Sequence, residues 1–414
     1  MADAIVVKSV ADRLFARVGD FLFRHMDFLL CIARNVFPIL VVNFKGKKVV
    51  LVTRYDDVQE VLSRPNVFNV IYEPKLRAIM GGDNFFLGMK DEEQATRDKT
   101  NMRMVLPRAD AQTIVKPQVD ILAEDVMSKA PGRVDLVTDL SQNVASRFFG
   151  AYFGTPGPDL TIMSDWARLL FQFVFADSSN DPALRAQAEP IAGKLRVYLE
   201  TAITERKAYR GDHEDILGRC LKLQDLEIPG MTDRDIRNNL MGFIVGGFPQ
   251  AAILIPQLFD ILLDRPNELA AACAAAQADN DELVSKYIFE AARYHPLAPG
   301  LFRQCTDDYK LAGGSFRGKT IPEGAFVVAV TRSAMFDGRR VTNPKEFRID
   351  RPDYHYMQFG HGFHECFGLY MNQQMLPAMC KSVLKKKNLR RAAGDAGRLQ
   401  MSGIFPKSLV VEFE

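Results

Sequence analysis

Ten residues near the C-terminus, Phe359-Gly360-His361-Gly362-Phe363-His364-Glu365-Cys366-Phe367-Gly368, constrain this chain more than any other stretch. Three glycines surround one cysteine. Glycine suits a backbone that must turn tightly or approach a ligand closely. The run that follows, Met371-Asn372-Gln373-Gln374-Met375, has helical character. A cysteine just ahead of a helix sits at the positive end of the helix dipole, which favours thiolate over thiol. A thiolate so presented is a soft metal ligand. The plainer alternative is a buried cysteine in a glycine-rich loop, since free cysteine often serves as a small core residue.

The full spacing separates the two readings. F-x-x-G-x-x-x-C-x-G resembles the haem-thiolate loop of the cytochrome P-450 family, and Phe359, Gly362, Cys366 and Gly368 fill its fixed positions. Axial thiolate is one of the few ways proteins hold haem iron. The resemblance implies that Cys366 is the iron ligand of haem b (iron protoporphyrin IX), with Phe359, Gly360 and Gly368 around the cofactor. It places His364 against a haem propionate.

A second signature lies about 75 residues earlier. Glu290 and Arg293 stand three apart, so they share one helix face and can pair. Tyr294-His295-Pro296 ends that helix, and Leu297-Ala298-Pro299-Gly300-Leu301-Phe302-Arg303 follows. This is similar to the family's E-x-x-R helix and the pocket strand after it. Glu290, Arg293 and Arg351 would be structural supports of the haem region, and Arg303 a second propionate partner.

Composition narrows the remaining choices. The chain has 414 residues, 47% of them hydrophobic and 25% charged, as in an ordinary globular protein with a large core. A net charge of +2 gives no reason to expect a nucleic-acid partner. Six cysteines, at 31, 220, 273, 305, 366 and 380, lack paired spacing, which fits a reducing, cytoplasmic compartment rather than a disulfide framework. No secretory signal is read at the N-terminus. The apolar run from Phe28 to Val42, broken by Arg34 and Pro38, is shorter than the roughly 20 residues of a membrane span. It is expected to be a buried segment leading into a strand, with no membrane partner.

In chain order, residues 9 to 35 have amphipathic helical spacing, with Leu14, Val18, Phe21 and Leu22 on one side. A hairpin follows, Leu40 to Phe44 and Lys48 to Val52 around Lys45-Gly46-Lys47, then a short helix from Asp56 to Leu62. Residues 69 to 90 read as irregular. Helices are expected at roughly 91 to 106, 117 to 130, 138 to 153, 159 to 176, 183 to 210 and 232 to 264. A strand-rich stretch covers about 310 to 332. The expected fold is a single domain over 1–414, mainly α with a small β portion, the cytochrome P-450 fold.

Two departures from the family pattern stand out. Where bacterial members often carry His and Arg as propionate contacts on the third helix, this chain has Ala95 and Lys99. Lys99 still offers a point charge without the planar fork, and Arg97 is a candidate substitute for the lost anchor. The family's long helix usually carries small-Gly-x-acid-Thr, whose acid-alcohol pair relays protons during dioxygen cleavage. Here the run is Gly246-Gly247-Phe248-Pro249-Gln250. Gly246, Gly247 and Gln250 are the candidate catalytic positions, and the weak helix formers predict a kink.

Three functions remain open: a monooxygenase using dioxygen and electrons from a redox partner, an enzyme that uses or rearranges peroxides, and a non-catalytic haem sensor. By resemblance Phe85, Phe86, Phe243, Gly246, Gln250, Leu297, Leu301, Ile404 and Phe405 line the pocket, which implies a hydrophobic small-molecule substrate. Arg97, Lys99, Arg103 and Lys385 to Lys387 would form a basic face on the cysteine side for a ferredoxin-type donor.

Overall fold

The computed structural model describes residues 26–44, 46–209 and 211–414, so the expected helix from residue 9 lies largely outside the described residues. Most of the described chain is helical. A five-stranded sheet forms the largest β element. Its strands are β1 (Ile39–Phe44), β2 (Lys47–Val52), β3 (Phe68–Val70), β4 (Leu301–Cys305) and β5 (Phe326–Ala329), in spatial order β1-β2-β5-β4-β3. The hairpin turns as its Lys-Gly pair predicts, with Phe44 opposite Lys47 and Gly46 at φ +78°. β2 pairs in parallel with β5, which joins the N-terminal hairpin to the later strands.

The long helix spans Asp233–Leu263 and is buried along most of its length. Thr232 and Asp235 form the expected capping box at its start. It is long and apolar enough to cross a membrane, yet 83% of its apolar window is buried inside the protein, as befits a core helix. It runs unbroken through Gly246, Gly247 and Pro249. Pro249 has no N–H to give to the carbonyl of Val245, so the irregularity is a gap in the hydrogen-bond ladder rather than an end of the helix.

Two expectations fail. Residues 69 to 90 are not irregular throughout, because Glu73–Met80 is a helix with Pro74 in its first turn and Gly81 at φ +78° closing it. Both signals were legible. The helical part of the run from Phe28 to Val42 is not buried, although Pro38 and Ile39 are and the run leads into β1 as expected. Helix Met26–Val36 turns Arg34 inward, where its guanidinium donates to the Ser333 carbonyl at 2.9 Å and to the Ser333 hydroxyl at 3.1 Å. Phe28 and Val36 are left 65% and 59% exposed. The arginine's hydrogen bonds, not the apolar stripe, decide which face is inside.

The described residues form two apolar cores. The larger collects the helices around Ile244, Val245, Ile255 and Leu258. The smaller lies under the sheet, with Val50, Val52, Val58, Phe68 and Val327. Met357 belongs to the smaller core and Phe367 to the larger, so the chain leading into and through the cysteine stretch runs from one to the other.

The segment leading to that stretch is irregular and is held by buried charge. Helix Asp281–Tyr294 presents Glu290 and Arg293, both fully buried. Arg293 binds Glu290 through two nitrogens, at 2.6 and 2.9 Å, and Arg351 reaches the same carboxylate at 3.2 Å. The Arg348 N–H and the Tyr356 hydroxyl also donate to it, at 3.0 and 3.1 Å. The two arginines donate onward to the carbonyls of Met335, Thr342, Asn343, Pro344 and Glu346. Removing one member of such a network strands a buried charge, which costs about 3–5 kcal/mol. Glu290→Ala is therefore expected to destabilise the protein by that amount in urea unfolding. A loss under about 1 kcal/mol would show that the network is a solvated pair.

Candidate active site

The loop from Phe359 to Gly368 takes its shape from its glycines. Gly360 and Gly362 have φ of +82° and +72°. A side chain on Gly362 would also press on the Leu62 carbonyl, 2.9 Å from a Cβ placed there. The Cys366 N–H donates to the Phe359 carbonyl at 2.8 Å, closing the loop. Helix Leu369–Leu384 then begins with Gly368 at its N-cap. The cysteine thus stands just ahead of a helix, as expected. Burial overrides the dipole, however, and pushes the thiol up to about 11, with the Gly368 backbone offsetting only part. The proton leaves when a metal takes the sulfur.

Cys366 is deep within the chain yet keeps accessible surface, and Tyr72 does the same. Packed core has no such surface, so these groups border an internal space. On the long helix, Gly246 likewise has nothing within 4 Å of where a Cβ would stand. Gln250 follows one turn later on the same face. Gly247 points elsewhere, toward the ring of Phe149 at 3.5 Å, so the structure does not bring it to the space.

Three basic groups gather beside the thiol. Arg303, on β4, is buried and donates to its neighbour's carbonyl, Phe302, at 2.8 Å. Among the described residues it has no acidic partner, and burial pushes its pKa down. His364 has a buried, unpartnered Nδ1. Its pKa falls to about 3, first through burial, then through Arg303 and Lys99. Lys99 is lowered too, by burial and then by Arg103, and its amine donates to the Phe363 carbonyl at 2.7 Å. Buried cations without anions are costly, and this cluster is suited to receive carboxylates. The soft sulfur, the space at Gly246 and the three bases all fit haem b, whose two propionates would meet Arg303, His364 and Lys99.

Other expected positions lie elsewhere. Arg97 turns away from the thiol, pairing with Asp98 at 2.8 Å and crowding Gly230. It replaces no anchor. Lys385 to Lys387 are not on the cysteine side, because they follow the far end of a 16-residue helix, roughly 24 Å along its axis. Lys385 is paired there with Asp279 at 2.6 Å. Ile404 is 40% exposed on a hairpin, and Phe405 borders a separate small cleft with Pro249 and Arg168. Phe85, Phe86 and Phe243 form one packed aromatic cluster, and Phe86 and Phe243 touch Phe367 at 5.1 and 5.5 Å between ring centres. Leu297 stays partly buried, while Leu301 lies 3.5 Å from the Cβ position of Gly360. Tyr72 was missed, since it lies in the stretch taken for a loop.

The fold and an enclosed cysteine of this kind define a haem-thiolate oxidoreductase. The cytochrome P450 family profile matches residues 23–395, and the chain belongs to that family. It is 25% identical over 321 residues to the cyclomarin C epoxidase CymV of Salinispora arenicola, covering 76% of this chain and 77% of that protein. It is 25% identical over 341 residues to the mycinamicin VIII C21 methyl hydroxylase of Micromonospora griseorubida, covering 78% and 79%. The fold is similar to that of CYP109E1 from Bacillus megaterium in complex with testosterone, with a TM-score of 0.78, 21% identity and 93% and 97% coverage. The chain is a haem-thiolate monooxygenase, with protoporphyrin IX haem as its cofactor.

Cys366→Ser is expected to abolish the thiolate Soret band of the reduced carbon monoxide complex. Arg303→Leu should weaken haem retention about tenfold in a haem-transfer assay by removing a charge-assisted contact. An unchanged retention half-life would assign Arg303 a packing role only.

Proposed function

We propose that the chain inserts oxygen into a hydrophobic small molecule held in the space between Gly246 and Cys366, with electrons from a ferredoxin-type donor. The observation that carries this reading is the enclosed thiol, with a helix face left open at Gly246 and with Arg303, His364 and Lys99 nearby, none of which forms an ion pair among the described residues. The haem, when bound, supplies the redox chemistry of oxygen activation. The chain supplies the rest. Cys366 holds the iron, and Arg303, His364 and Lys99 hold the propionates. The aromatic cluster of Phe85, Phe86 and Phe243 keeps water from one wall.

A single domain accommodates this, because the chain passes from the smaller core at Met357 to the larger at Phe367. Six free cysteines support a cytoplasmic setting. The donor would dock where Arg103 and Arg108 approach the surface beside Tyr370. Raising salt should then slow the first electron transfer, and rates indifferent to salt would remove the docking face.

A specific observation favours a second oxidant. Pro249 cannot ionise, and the Gln250 amide donates and accepts hydrogen bonds but is no practical proton carrier. Gln250 shares the face of Gly246, and the Val245 carbonyl, which Pro249 cannot serve, lies one turn before Pro249. These groups can orient a water or a substrate oxygen but cannot deliver a proton of their own. Peroxide arrives with its protons and electrons in place and demands less of such a site. The ratio of peroxide-driven to dioxygen-driven turnover is expected to be high. Pro249→Asp with Gln250→Thr should shift it toward dioxygen, and Gln250→Thr alone should shift it little. The comparison needs one substrate, one donor and matched haem content. Tightly coupled dioxygen turnover by the parent would sink the peroxide reading and leave a water relay.

A further inference from the structure

Arg103 stands in the last turn of helix Glu93–Val105 and is half-buried. One of its nitrogens donates to the Phe367 carbonyl at 3.3 Å. Its guanidinium lies 3.9 Å from the centre of the Phe367 ring and 5.3 Å from that of Tyr370. Phe367 is the residue after the cysteine. Its ring also packs parallel to that of Phe243 on the long helix, at 17° and 5.5 Å. Arg108, exposed at the surface, sits 4.1 Å over the same Tyr370. A continuous stack therefore runs from solvent to the long helix: Arg108, Tyr370, Arg103, Phe367, Phe243.

No carboxylate pairs with Arg103 among the described residues. Its contacts are a carbonyl and two π faces, which hold a guanidinium by hydrogen bond and quadrupole without neutralising it. The groups that face it are Tyr370, Cys366 and Glu365, which favour its charge, and Arg108 and Lys99, which oppose it. An unneutralised charge in a poorly solvated place acts over a longer range than one in water.

We propose that Arg103 is a positioning residue for the cysteine loop and that its charge raises the reduction potential of the iron held by Cys366. The hydrogen bond and ring contact fix Phe367, and through it the direction of the preceding sulfur. The positive charge favours the ferrous state, which carries one positive charge fewer than the ferric. The step affected is a one-electron transfer in which the external donor is oxidised and the iron reduced. The inference rests on Cys366 being the axial ligand, which the carbon monoxide spectrum of each variant reports separately.

The test is a dithionite titration of the haem-loaded protein with redox mediators, for the parent, Arg103→Lys, Arg103→Gln, Arg103→Leu and Arg108→Gln. Arg103→Gln and Arg103→Leu should each move the ferric–ferrous equilibrium about tenfold toward ferric, about 59 mV more negative. Arg103→Lys keeps the charge and should stay closer to the parent. Arg108→Gln, at an exposed position, should move it less in the same direction, and high salt should erase that shift but not the one at Arg103. Parental potentials in both neutral variants, with the thiolate spectrum intact, would overturn the proposal. A Lys variant shifted as far as the Gln variant would overturn the role of charge. Should Arg103→Gln and Arg103→Leu fail to hold haem, Arg103→Lys and Arg108→Gln decide, and the absence of a salt-dependent shift at Arg108 counts against it.

Discussion

The structure depends on one buried carboxylate. Glu290 takes five hydrogen bonds, from two arginines, a backbone N–H and a tyrosine hydroxyl, and none of its surface is exposed. What it organises is not its own helix but the irregular chain from Met335 to Tyr356. That stretch has little regular structure to satisfy its carbonyls, and the two arginines bind five of them. Buried polar backbone must find partners. Here the partners come from side chains that are themselves locked by a common acid. The chain emerges at Met357 with its direction set, a few residues before the glycines that place Cys366.

The contrast with the thiol's surroundings is instructive. At Glu290 every donor has an acceptor, carboxylate or carbonyl. Near Cys366, Arg303, His364 and Lys99 face one another with no ion pair among the described residues, and burial depresses each. A protein that satisfies one buried cluster so fully has the means to satisfy the other. The unanswered charge therefore marks a place built for a ligand rather than for stability. Its stability cost is repaid only when an anion is present, which couples the firmness of the cysteine loop to cofactor binding.

Much of this was legible in the sequence, and unevenly so. The ten residues around Cys366 and the Glu290–Arg293 pair spoke plainly because their chemistry is local: spacing alone puts glycine where φ is positive and puts acid and base on one face. The long helix was announced by Thr232 and Asp235. What failed depended on distant partners. Nothing near Arg34 says that Ser333, 299 residues away, will draw it inward and leave Phe28 facing out. Periodicity assigns faces by hydrophobicity, and a buried guanidinium with good acceptors reverses the assignment. Arg97 and Lys385 failed for a related reason. Both are basic and were placed by family pattern or proximity in sequence, but helix geometry carries Arg97 to Asp98 and Lys385 to the far end of its helix beside Asp279.

The long helix shows how local weakness is tolerated when the surroundings decide. Gly242, Gly246, Gly247, Pro249 and Pro256 lie in one helix, and by propensity alone they would break it. Each small residue instead meets a specific demand. The ring of Phe85 would lie 2.6 Å from a Cβ on Gly242, and that of Phe149 abuts Gly247 at 3.5 Å. Only Gly246 faces nothing. Packing therefore explains two of the three glycines and leaves the third to the space it borders. Phe248 and Phe243, packed against the rings of Phe149 and Phe153, hold the helix on either side of the gap that Pro249 leaves in the ladder. A backbone carbonyl that Pro249 cannot serve is thereby kept beside an open helix face without unwinding the helix, and the polar character of that face comes from main chain and an amide rather than from an acid.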